Sequence, residues 1–154
     1  MALALGRGSW FGFVAETVWG TAVTPRTVFA RALPCSGLRR TVEKGERGVL
    51  YEGASSGNIR SHYRKSDKAG GTIKFLMGYE GIGLLIQHAL WGTPTTTGTN
   101  PYTHTYKLAL NAPTGGLTIE QANGDLGLSE VFEGCRIAKM KWSVAAGGLM
   151  EVEL

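Results

Sequence analysis

Residues 69–92 read AGGTIKFLMGYEGIGLLIQHALWG, and within them the hydrophobic period changes. Ile73, Phe75 and Met77 alternate with Thr72, Lys74 and Leu76, a period of two that puts the first three on one face of a β-strand. After Gly78 the apolar residues fall at Ile82, Leu85, Ile86, Ala89 and Leu90, the i, i+3, i+4, i+7, i+8 spacing of a helix with one buried stripe. A helix is therefore predicted over about residues 79–91, with Glu80 offsetting the dipole at its start and Gly92 supplying a left-handed residue at its end. Gly81 and Gly83 each cost a helix interior roughly 0.8–1 kcal/mol relative to Ala, so packing must hold it. No other segment has a helical period, and this helix is expected to cover an open face of a β structure.

Working outward, the remaining segments read as strands and turns. The chain has 154 residues, enough for one domain over 1–154, and its 23 glycines are more than double the ~7% of average usage. Residues 8–25, GSWFGFVAETVWGTAVTP, hold neither period cleanly and predict a short strand followed by an ordered loop, with Trp10, Phe11, Phe13 and Trp19 buried. Residues 27–33 alternate as a strand that Pro34 ends. Residues 93–100, TPTTTGTN, read as a polar connector. Tyr102, His104, Tyr106, Leu108 and Leu110 alternate with Thr103, Thr105, Lys107 and Ala109 in a strand, and residues 117–121 form another. The end of the chain predicts a hairpin: residues 132–144 alternate, and a three-residue turn at 145–147 sets Trp142 opposite Met150, Met140 opposite Val152, Lys141 opposite Glu151 and Lys139 opposite Glu153. Leu154 falls inside that last strand with no polar tail, which points to a longer natural chain.

One segment differs in kind. Residues 38–68, LRRTVEKGERGVLYEGASSGNIRSHYRKSDK, hold eight Lys/Arg against four Asp/Glu, so they carry the whole net charge of +4. Apolar residues are sparse there, and a loop of this length inside a compact domain is usually functional. It reads as an extended arm or long hairpin that orders against another subunit. Arg39, Arg40, Arg60, Arg64 and Lys65 could instead grip phosphates, but recognition of single strands adds stacking aromatics, and Tyr51 and Tyr63 are a thin supply. Subunit contact is the favoured reading.

Catalysis finds no candidate. No phosphate-binding glycine loop, G-x-S-x-G or H-E-x-x-H is present, and Glu151 and Glu153 sit opposite lysines on a strand face that solvent reaches. Cys35 and Cys135, far apart and without metal-ligand spacing, read as two small buried thiols rather than a disulfide or metal pair. His62, His88 and His104 are scattered, so no metal and no cofactor are expected. No stretch approaches the ~18 apolar residues of a membrane span and the apolar run at residues 2–5 is too short for a signal peptide, which predicts synthesis and folding in the cytosol without a membrane partner.

The stretch GFVAETVWGTAVTP, residues 12–25, resembles the opening of the tail tube (major tail) proteins of long-tailed bacteriophages. Residues 69–92 look like that family's glycine-introduced strand and short helix, YTHTYKL like the strand after it, and GCRIAKMKWSVAAGGLMEVEL like its final hairpin. The resemblance implies an antiparallel β-sandwich or barrel with one flanking helix. It further implies a structural virion protein, assembled in the host cytoplasm with other tail proteins. Its copies would form hexameric or pseudo-hexameric rings, stacked into a tube through which DNA passes without sequence-specific binding. Residues 38–68 would then be the inter-subunit arm, with Arg39, Arg40, Arg47, Tyr51, Arg60, Tyr63, Arg64 and Lys65 at its contacts. The rival reading is a monomeric β-sandwich binding module that recognises a glycan through Trp10, Trp19 or Trp91.

Overall fold

The computed structural model describes residues 8–33, 37–46, 62–78, 80–111, 113–124 and 127–154. In chain order the elements are β1 (Ser9–Ala15), β2 (Val28–Arg31), β3 (Gly37–Glu46), β4 (His62–Thr72), β5 (Lys74–Leu76), α1 (Ile82–Leu90), β6 (Thr95–Thr97), β7 (Thr103–Thr105), β8 (Leu117–Asn123), β9 (Leu128–Cys135), β10 (Lys141–Ser143) and β11 (Glu151–Glu153). The described residues are mainly β, antiparallel, with one short helix, as the sequence predicts. The chain's contacts divide it into two compact units, one of Met1–Gly37 with Thr72–Leu154 and one of Leu38–Gly71.

The larger unit is a sandwich. One sheet has the order β2-β1-β8-β9 and the other β10-β11-β5. They are stitched where β2 ends: Ala32 bridges Phe75, and the Leu33 N–H donates to the Lys74 carbonyl at 2.9 Å. Phe11 and Phe13 of β1 face Gln121 and Ile119 of β8, and Ile119 faces Phe132 of β9, so these side chains share one face. Phe13 meets Phe75 of the second sheet with ring centroids 6.0 Å apart, and Val152 pairs with Phe75 from β11. Phe11, Phe13, Phe75, Leu117 and Val152 are all at most 3% exposed.

As expected, residues 8–25 hold a strand followed by an ordered loop, and the structure places that strand, β1, inside the first sheet between β2 and β8. Its alternation is hidden because both faces are covered. On the side away from the core, Gly12 and Val14 lie opposite Glu120 and Thr118, and the loop of residues 16–27 crosses over them. The Val23 N–H donates to Thr118 Oγ1 at 3.3 Å and Arg26 Nε lies 3.2 Å from Glu120 Oε2. Trp19, expected in the core, is 46% exposed at the outer turn of this loop.

The helix runs from Ile82 to Leu90, shorter at both ends than predicted. Gly81 caps it in the left-handed region, φ 79°, so this glycine starts the helix and costs it nothing. Glu80 precedes the cap and no acidic residue lies in the first turn. The left-handed residue at the far end is Trp91, φ 63°, not Gly92. Gly92 has a different reason to be glycine: a Cβ there would overlap the Lys107 carbonyl oxygen. Leu85 and His88 are the fully buried helix residues, while Ile82, Ile86, Ala89 and Leu90 are half-buried.

Three strand predictions need correction. The 102–110 alternation yields only β7, paired with β6 inside the supposed connector, and Leu108 and Leu110 are 74% and 95% exposed. Met77 lies outside β5 and is not buried. Residues 132–144 are not one strand: β9 ends at Cys135 and β10 begins at Lys141. The final hairpin exists with its register moved by two residues, so that Lys141 faces Glu153, Trp142 faces Val152 and Ser143 faces Glu151. A shift of two keeps every side chain on its predicted face, and the price is a turn longer than three residues.

Candidate assembly surfaces

The smaller unit is built on the antiparallel pairing of β3 with β4. At 3.2–3.4 Å per residue, strands of 10 and 11 residues make a ribbon roughly 33 Å long. Asp67 ties its two strands together. Arg40 of β3 donates from Nε to Asp67 Oδ1 at 2.8 Å and from Nη2 to Oδ2 at 2.5 Å, and Arg64 Nη1 donates to Oδ2 at 2.8 Å. The Arg40 hydrogen bonds, with the charges of both arginines, hold the Asp67 carboxyl below the usual aspartate value, and Asp67 in turn raises Arg40. These groups are exposed, so the fork fixes strand alignment more than it stabilises the fold.

Of the predicted arm residues, Arg39 and Arg40 lie on β3 and Tyr63, Arg64 and Lys65 on β4, all exposed. Arg47, Tyr51 and Arg60 lie outside the described residues, as does Cys35. The structure joins Arg40 and Arg64 through Asp67. In the sequence that carboxylate reads as opposing charge, and the Arg64-x-x-Asp67 spacing is the one hint of the contact. Arg39, Lys44, Lys65 and Lys68 have no ion-pair partner among the described residues.

The two sheets have four outer strands, of which β2 and β5 meet at the Ala32–Phe75 bridge. β9 ends the first sheet and β10 the second, and neither has a strand partner on its outer side among the described residues. Both carry exposed apolar groups, Leu128 at 64% and Val131 at 45% on β9, Trp142 at 53% on β10 with Val144 just beyond. Glu130 and Glu133 of β9 are exposed and unpaired among the described residues.

Sequence reasoning missed the knot that holds the loop after β1. Glu16 is 5% exposed, and its Oε1 accepts from Thr118 Oγ1 at 2.8 Å and from the Gly134 N–H at 2.8 Å, while Oε2 accepts from the Gly20 N–H at 2.9 Å. The Trp19 ring lies against Gly134, and the Arg136 guanidinium sits 4.1 Å above that ring. Trp10 packs edge-on to Phe29 at 5.3 Å. Two of the three tryptophans that a glycan site would use thus have their rings engaged within the chain. Near the knot, burial pushes the Cys135 thiol up to about 11, with the Glu16 charge adding to it, and burial lowers His88 against the opposing effect of Glu16. Cys135 is a free thiol, half-buried. Among the described residues no three metal-ligating side chains are grouped, and no helix is long and apolar enough to cross a membrane.

Compared with known families, residues 6–154 match the model described as phage tail tube protein. The match spans the GFVAETVWGTAVTP stretch, both sheets and the ribbon. No curated protein matches the chain.

Proposed function

The chain belongs to the phage tail tube protein family, and from that premise we propose that its copies close into stacked, six-fold or pseudo-six-fold rings whose lumen passes DNA. It is a structural protein of the virion tail; in this reading it works without catalysis and assembles with other tail proteins in the host cytoplasm. The observation that carries the ring is the pair of open outer strands, β9 and β10, each with exposed apolar side chains. An edge of this kind templates contact with another chain, and a head-to-tail contact repeated around a closed ring covers the edge it uses in every copy.

The charge distribution supports a lumen that lets DNA slide. Residues 38–68 carry the entire +4 excess, so the rest of the chain is formally neutral. A wall that neutralised several phosphates would hold the duplex through counterion release, whereas a neutral wall does not. The ribbon's cations accordingly belong at subunit junctions rather than in the channel. Negative-stain electron microscopy of the purified protein tests the reading: rings or tubes with a central hole are expected, and particles without a hole at every concentration would return the monomeric binding module to first place.

A further inference from the structure

The ribbon of β3 and β4 is exposed along its length. Of its described side chains only Leu38 is fully buried, and the rest are exposed or half-buried. A two-stranded ribbon alone is at best marginally stable in water, so one of roughly 33 Å needs something to lie on. It also displays four cations without ion-pair partners among the described residues, Arg39, Lys44, Lys65 and Lys68. Asp67 already neutralises part of the Arg40 and Arg64 charge, so the surplus sits on those four.

β9 is the complementary surface. It has an open backbone edge, two exposed carboxylates without ion-pair partners among the described residues, Glu130 and Glu133, and two exposed apolar groups, Leu128 and Val131. β10, the other open strand, begins at Lys141 and follows Lys139, so it would repel the ribbon. The difference in charge selects one edge over the other. We infer that the ribbon of one copy docks on the β9 edge of a second copy, with Lys44, Lys65 and Lys68 beside Glu130 and Glu133. The inference rests on the tail tube reading and names the two surfaces that meet in it. The contact uses different patches on the two copies, the heterologous kind that repeats around a ring or from one ring to the next.

Two measurements on the full chain test it. Assemblies grown from equal amounts of ordinary and nitrogen-15 chains are treated with a carbodiimide, which joins a carboxylate to an amine as an amide and itself takes up the lost water to leave as a urea. Peptides joining Glu130 or Glu133 to Lys44, Lys65 or Lys68 should then appear as mixed-isotope pairs. In parallel, E130K/E133K should lower the sedimenting assembled fraction by about tenfold or more, and K65E/K68E added to it should restore assembly. The thermal melt of the unassembled E130K/E133K protein should match wild type, because neither carboxylate has an ion-pair partner among the described residues of its own chain. Wild-type assembly by E130K/E133K, linked pairs of a single isotope only, or a ribbon whose K65E/K68E variant assembles normally but loses duplex DNA would overturn the inference while leaving the tube reading in place. A wild-type protein that never assembles would overturn the tube reading itself, and the inference with it.

Discussion

Replacing Glu16 should weaken the sandwich more than any other single carboxylate change. Its carboxylate accepts three hydrogen bonds of 2.8–2.9 Å in a site only 5% exposed. Hydrogen bonds to a charged group contribute about 1.5–3 kcal/mol each. The Gly20 amide is on an exposed turn, where water can replace the lost acceptor, so its bond is discounted. The Thr118 hydroxyl is fully buried, and the Gly134 amide is partly covered. Those two donors give roughly 3–6 kcal/mol for Glu16→Ala, and relief from burying a carboxylate returns part of it, leaving about 3–4 kcal/mol. Glu16→Gln keeps a carbonyl oxygen for Thr118 and Gly134 but turns its amide toward the Gly20 N–H, so it should cost about 1–2 kcal/mol. Urea unfolding at neutral pH, followed by tryptophan fluorescence, reads both values. A Glu16→Ala protein within 1 kcal/mol of wild type, or a Gln variant weaker than the Ala variant, would refute the reasoning.

Three further outcomes follow from the same geometry. Gly92→Ala forces a Cβ onto the Lys107 carbonyl oxygen and should cost at least ~2 kcal/mol of unfolding free energy, more than the ~1 kcal/mol that Gly→Ala normally returns to a chain. Burial lowers the folded His88 pKa below its unfolded value near 6.5. Its contribution to stability is therefore fully present above that value and lost as pH falls below it through the lower folded value. A melting temperature that drops between pH 7 and 5.5, with the drop reduced in His88→Gln, would bear this out. The Cys135 thiol, pushed up to about 11, should react with a thiol reagent at pH 8 far more slowly in the folded Cys35→Ser protein than after unfolding. Equal rates would show that Cys135 is not shielded.

Where only one face of an element is buried, its pattern could be read directly. The sandwich class, the helix and the final hairpin were legible because residues 73–75, 82–90 and 141–153 each follow a single period. The hairpin register was harder: a two-residue shift leaves every apolar and charged side chain on the same face, so alternation alone cannot tell Lys141–Glu151 from Lys141–Glu153. β1 was obscured for the opposite reason. With Phe11 and Phe13 in the core and Gly12 and Val14 under the following loop, its residues are buried on both sides and no alternation survives. Residues 106–110 alternate without consequence, because β6 offers only Thr95–Thr97 as a partner and Leu108 and Leu110 stay exposed. His88 stands three residues after Leu85, on the same turn-to-turn row, and that spacing could have placed it in the buried stripe. Glu16 was legible only as a charge and Asp67 only through its neighbour Arg64, since Arg40 in one case and Thr118 and Gly134 in the other come from strands distant in sequence.

The tube reading requires that single chains not be the resting state once they are concentrated. Light scattering of the purified full chain across a range of concentrations measures this most directly. The account predicts masses that are multiples of 16.5 kDa, rising with concentration as rings close and stack. A mass fixed at 16.5 kDa up to the solubility limit would contradict it.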